Sequence, residues 1–164
     1  TIFNEGWGQF DAKGQYQKYK AKDPTRIYDT TSGWFKTTAT DVESDHVYFK
    51  KIDLKPIKNR PMVLSEFGGY CYKVPRHSFN PDETYGYRHF KTAEKLEKGL
   101  DELYNEVIRM IDRGLCATVL TQLSDVEDEA NGLMTYDRQV LKVHPEEMQK
   151  IREKLQSEFD RRFL

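Results

Sequence analysis

The sequence predicts an α/β fold built on a parallel sheet with flanking helices. Three observations lead there. Short apolar runs recur along the chain, separated by polar connections long enough to cross over. The strongest helical periodicity comes late, after most of those runs. One run, Met62–Phe67 (MVLSEF), carries an acid next to its end and is followed by two glycines. That is the form of a buried parallel strand whose C-terminal end opens into a loop.

Taken in order, TIF at the start reads as the end of a strand. GQYQKYKAKD, beginning at Gly14, is a weak helix or a loop, punctuated by Asp23-Pro24. RIYDTTS, around Ile27, is a short strand candidate, and DHVYF, around Val47, is another. KIDLKPIKNRP is a polar connection into MVLSEF, the strand around Val63. Leu96, Leu100, Leu103, Tyr104, Val107, Ile108 and Ile111 recur at helical spacing, and Gly114 suits the C-terminal cap. CATVLTQL, around Val119, reads as a fifth, buried strand. The polar loop SDVEDEANGLMTYDRQ follows, with a turn at Asn131-Gly132. A last helix starts near His144 and Pro145. Proline fits its first position, Glu146 and Glu147 fit the positive dipole end, and Met148, Ile151, Leu155 and Phe159 form its stripe.

The chain has 164 residues, the length of one ordinary domain, and a net charge of −1. That balance offers nothing for nucleic acid or an anionic membrane surface, and no run reaches transmembrane length. Aromatic residues reach 13%, which suits both a packed core and an aromatic-walled cleft. Cys71 and Cys116 have no metal-ligand spacing and read as free, partly buried thiols, with a disulfide between them as the alternative. The acidic run Asp125, Glu127, Asp128 and Glu129 lacks a calcium-loop pattern and reads as a solvated face. No metal or other cofactor is expected, and the compartment is left open.

Two strands end alike. Ile2-Phe3-Asn4 runs into Glu5-Gly6, and Val63-Leu64-Ser65 runs into Glu66-Phe67-Gly68-Gly69. Each puts a glutamate where an apolar strand meets a glycine-bearing loop. In a parallel α/β barrel that end is the catalytic face. A carboxylate there costs desolvation unless it is used or paired. Two that converge match glycoside hydrolysis, where one carboxyl protonates the leaving oxygen and the other attacks the anomeric carbon.

Several stretches together resemble glycoside hydrolase family 2, the β-galactosidase and β-glucuronidase family. FNEGWGQFD resembles its acid/base motif, and DPTRIYDTTSGW the segment that follows. SDHVYF resembles the sixth-strand segment, VLSEFGGY the nucleophile strand, and QLSDVEDEANGLMTYDRQVLK the last strand with its loop. They keep the family's order and span most of the chain. The resemblance implies Glu5 as general acid/base and Glu66 as nucleophile. It implies Asn4 on the sugar's 2-hydroxyl, Tyr48 hydrogen-bonded to the nucleophile, and His46 and Trp34 near the sugar. Trp7 would wall the cleft or support its loop. Where many members carry a tryptophan on the last strand, this chain has Thr121-Gln122-Leu123, so Gln122 stands as a polar contact in its place. The carboxyls should lie ~5 Å apart, which implies retention of configuration.

The implied architecture is a partial (β/α)8 TIM barrel, strands four to eight, with residues 1–164 as the C-terminal portion of the catalytic domain. A full barrel has typically ~250 residues and eight strands; five candidates are counted here. The family's first three strands, an arginine on the second, and its β-sandwich domains have no counterpart in this sequence. The expected partners are therefore a carbohydrate substrate and either a second copy across exposed strand edges or such upstream domains. Little activity is expected of the chain alone. Two other readings stand beside this one: a non-catalytic carbohydrate-binding module, and a structural α/β domain with both glutamates salt-bridged.

Overall fold

In the computed structural model, which describes Thr1–Leu164, ten elements follow one another. They are β1 (Phe3–Asn4), α1 (Ala12–Lys22), β2 (Thr31–Ser32), β3 (Glu43–Val47), β4 (Met62–Gly68), β5 (Tyr70–Tyr72), β6 (Arg88–Phe90), α2 (Ala93–Ile111), β7 (Leu115–Thr121) and α3 (Pro145–Phe163). Every strand pair is parallel. β3, β4 and β7 make the central sheet in that order, β1 pairs with β2, and β5 pairs with β6. The fold is thus α/β with parallel strands, and the sheets do not close. No helix is long and apolar enough to cross a membrane.

The core forms because α2 has one continuous apolar stripe. Leu96, Leu100, Leu103, Tyr104 and Val107 are buried along it, against Leu64 and Phe67 of β4 and against Ile52 and Leu54. Thr92 caps its start by accepting from the Lys95 amide at 3.3 Å. Phe67 and Tyr104 meet edge to face with centroids 5.5 Å apart. Ile151 anchors α3 on the same core.

The opposite side of the strands is polar. Thr30, Thr31, Ser32, Glu43, Ser44 and His46 are all buried. Their hydrogen bonds join the β1–β2 pair to the central sheet. Ser44 Oγ donates to Asp29 Oδ1 at 2.9 Å and accepts from the Gly33 amide at 3.2 Å. Glu43 is met by Lys36 at 2.6 Å and Arg60 at 3.0 Å.

Four expectations need correction. The strand expected around Ile27 lies at Thr31–Ser32 instead, and Ile27 is exposed. The Asp41 carboxylate and the Thr40 hydroxyl bind the amides of Tyr28 and Thr30, so part of that backbone is held by side chains rather than by a ladder. The stretch CATVLTQL is not buried: β7 pairs with β4 alone, and Cys116 through Val119 are exposed. Seven strands form rather than five, because the connection after β4 contains β5 and, after a turn-rich stretch, β6. Finally, Asp125 is no solvated acid. Both thiols are free, with Cys71 buried and Cys116 exposed.

Asp125 is buried because the loop after β7 folds back on itself through bridges from Ser124 and Leu141 to Met134. Its carboxylate meets Lys142 Nζ at 2.6 Å and the Gly132 amide at 2.8 Å, and the lysine also donates to the Ala130 carbonyl. Both side chains are almost wholly enclosed. Burial pulls the Lys142 ammonium below the usual lysine range, and Asp125 opposes that pull. Lys142→Met leaves a buried carboxylate alone and should cost about 3–5 kcal/mol in urea unfolding, whereas adding Asp125→Leu should recover most of the loss. Equal losses in single and double variants would show that the pair does not hold the loop.

Asp137, farther along the loop, is lowered from 3.8 to about 2, first by the Thr135 hydroxyl and then by His77. Its folded value lies below its unfolded one, so its contribution is complete above pH ~4 and disappears as pH falls through about 2. Asp137→Asn should flatten that acid limb in a pH series of thermal melts.

Candidate active site

Glu5 and Glu66 reach one place from different strands. At the end of β1 the Glu5 amide donates to the Ser32 carbonyl at 2.8 Å, and the chain then turns. Glu5 itself has φ 53, a left-handed conformation uncommon for a residue with a side chain. Gly6 continues the turn at φ +72, where an added Cβ would strike the Phe35 side chain at 2.8 Å.

Glu66 is turned toward the polar side by a bulge in β4. The pairing with β7 shifts between Leu64 and Phe67. Leu64 and Phe67 are both fully buried, three positions apart, where strict alternation would require an even spacing. The extra residue keeps both in the α2 core and leaves Ser65 and Glu66 to face the other way, a use of bulges common beside active sites.

His46 joins the two acids. Its ring Nδ1 lies 2.9 Å from Glu5 Oε1 and 3.3 Å from Glu66 Oε2, and Nε2 lies 2.8 Å from Ser32 Oγ. Its side chain is fully buried, against 16% exposure for Glu5 and 29% for Glu66. With Ser32 donating to Nε2, the Nδ1–H is left to be shared by the carboxylates. The three donor atoms lie within 4.8 Å of one another, a set that a divalent cation could also use.

Tyr48 holds Glu66 from the other side. Its hydroxyl donates to Glu66 Oε2 at 2.5 Å and accepts from Thr121 Oγ1, 2.9 Å away. Burial first, and then the Glu66 bond, push that hydroxyl far above the ordinary tyrosine range. Tyr48 therefore stays a donor at any working pH. Its ring stacks on Tyr87 at 4.4 Å.

These groups open on a cavity of about 480 Å³. Of the sequence candidates, Asn4, Glu5, Tyr48, Glu66 and Gln122 line it. Gln122 donates to Glu129 Oε2 at 3.0 Å and to Asn131 Oδ1 at 2.6 Å. His46 lies buried behind the acids rather than in the cavity wall. Trp34 sits half-covered with its ring 6.4 Å from the imidazole, and Trp7 is 71% exposed, outside the lining. Sequence reasoning missed Ser32, Tyr85, Tyr87, Glu129 and Asn131. Ser32 stood in the TTSGW stretch, Tyr85 and Tyr87 in TYGY, and the last two in EDEANG, but nothing in spacing alone marked them.

Neither a family model nor a curated protein matches the chain.

Gly33 is what lets the imidazole into this place. Its φ is +79, and a Cβ there would meet the His46 ring at 2.3 Å. Gly33→Ala should cost about 1–3 kcal/mol in chemical denaturation and move the His46 ring resonances in nitrogen-detected NMR. An unchanged imidazole spectrum would show that the ring does not depend on this gap.

Proposed function

We propose that this chain carries the two-carboxylate machinery of a retaining β-glycosidase, in a partial (β/α)8 barrel of the glycoside hydrolase family 2 kind. The observation that carries the reading is the approach of Glu5 and Glu66. Their nearest donor atoms fall within 4.8 Å, on the side of the ~5–5.5 Å carboxyl spacing of retaining enzymes and well short of the ~6.5–9.5 Å of inverting ones. The parallel strands in the order β3, β4, β7 support the barrel reading, and so do the family-like motifs that supply both acids.

In this mechanism a sugar occupies the cavity with its anomeric carbon beside Glu66 and the glycosidic oxygen beside Glu5. Glu66 attacks the carbon as the bond to the leaving oxygen breaks, and Glu5 gives its proton to that oxygen. A water then enters. Glu5 takes its proton, its oxygen bonds the anomeric carbon, and Glu66 leaves as carboxylate. Inversion happens twice, so configuration is retained.

The neighbouring residues fit these steps. Tyr48 holds one oxygen of the nucleophile's carboxyl group with a hydrogen bond. His46 acts as a positioning residue: wholly enclosed, it holds both acids without reaching the substrate. When Glu66 becomes an ester and loses its charge, the Nδ1–H is free to serve Glu5 alone. Asn4 sits on the cavity beside Glu5, suited to a sugar hydroxyl. Glu129, Asn131 and Gln122 form an acceptor-rich rim that suits further hydroxyls.

A mechanism-based 2-deoxy-2-fluoro glycoside tests the reading through a single attack, without need of turnover. Galactosyl, glucuronyl, mannosyl and arabinosyl forms should be offered in turn. One of them should add one glycosyl unit to the peptide containing Glu66, and Glu66→Gln should abolish the adduct. Glu5→Gln should slow hydrolysis of substrates with poor leaving groups by roughly 10²–10⁴-fold. Chelation with EDTA should leave labelling unchanged. A folded chain labelled by none of the sugars overturns the proposal, and loss of labelling on chelation would turn the Glu5–His46–Glu66 set toward metal chemistry.

A further inference from the structure

A second cavity, of about 360 Å³, lies on the far side of the Tyr48–Tyr87 stack. Both rings line it as well as the glutamate cavity, so the two spaces share a wall. It lies between the end of β3, the end of β4, β6 and α2.

Its chemistry differs from that of the first. Lys50, Lys51 and Arg88 line it, against one acid, Glu106. Glu106 already accepts the Ile52 amide at 2.9 Å. Lys50 and Lys51 make no ion pair, and Arg88 has only Glu102 at 3.9 Å, with both side chains about half exposed. The Arg88 guanidinium instead sits 5.4 Å from the Tyr70 ring and 5.0 Å from the Phe90 ring, contacts that leave its hydrogen-bond donors available. In a chain of net charge −1, this is a local excess of positive charge held on a framework.

The remaining wall offers an apolar face. Phe49 is 78% exposed and packs edge-on against Tyr87 at 4.4 Å. An exposed aromatic ring beside donors suits a ring-shaped ligand that is apolar on its face and charged at its edge.

We infer that this second cavity is an accessory subsite for an anionic sugar unit of a larger glycan, one bearing a carboxylate or a sulfate. Phe49 and Tyr87 form its floor. Lys50, Lys51 and Arg88 take the charge. The inference rests on the glycosidase reading only in taking the ligand to be a glycan; the two cavities meet at the Tyr48–Tyr87 wall.

Isothermal titration of the full chain tests this with three disaccharides: one carrying a single sulfate, one a single uronate, and their neutral parent. At low salt at least one charged form should bind about tenfold tighter than the neutral one, and added salt should weaken it. Whichever charged form binds identifies the source of the anion. Lys50→Ala with Lys51→Ala should remove most of that preference. These residues are exposed, so the variant keeps its fold, which circular dichroism checks. Arg88→Lys should weaken binding less than Arg88→Ala. Equal binding of charged and neutral sugars, no binding of any, or indifference to the lysine variants overturns the subsite. Binding without a Glu66 adduct would sink the hydrolase and spare the subsite, while the adduct without charge preference would do the reverse.

Discussion

One buried imidazole holds this arrangement together. The β1–β2 pair and the central sheet share no backbone ladder. What joins them at the cleft is His46, bonded to Ser32 of β2 through one nitrogen and to the acids that follow β1 and lie in β4 through the other. The same ring meets both carboxyl groups across a short gap. It can do so only because it is enclosed, since in open water such bonds would be exchanged for bonds to solvent. Ser44, bonded to Asp29, repeats the link lower down.

This gives the sheet two unlike faces. One is filled with aliphatic side chains from α2 and β4 and behaves as an ordinary core. The other is filled with hydroxyls, acids, and an imidazole, and its cohesion depends on their hydrogen bonds, although the buried Thr30 Oγ1 has no partner. The first face tolerates changes of shape better than changes of polarity. The second tolerates neither well, because a lost partner leaves a buried polar group with no substitute. The split explains why the cleft and the hydrophobic core are built on the same strand, β4, without interfering: the bulge assigns neighbouring residues to opposite sides.

Where a signal is repetitive, the sequence carries it openly. The α2 stripe repeats at every turn of the helix and could be read directly, as could the strand MVLSEF and the proline-led start of α3. Exposure of β7 could not be read, because its composition suits a central strand and only the absence of a second neighbour makes it an edge. Ile27 looked like a strand centre, but local side-chain bonds from Thr40 and Asp41 decided the backbone there. In the site, Glu5 and Glu66 were legible because each interrupts an apolar run with a charge. Asp125 was misread because its partner, Lys142, lies beyond the loop and only the fold brings them together. Ser32 and Tyr87 carried no such mark; a serine among threonines and a tyrosine among tyrosines acquire meaning only from what they face.

The aromatic partition between the two cavities has a mechanical consequence. Tyr87 stands on the segment leading into β6, its ring so close to Gly69 that a methyl group there would overlap it at 2.3 Å. Its partner Tyr48 is bonded to Glu66. A displacement of either ring would therefore bear on the other and, through the Tyr48 hydroxyl, on Glu66. The partition between the two cavities and the seat of that acid are thus one piece.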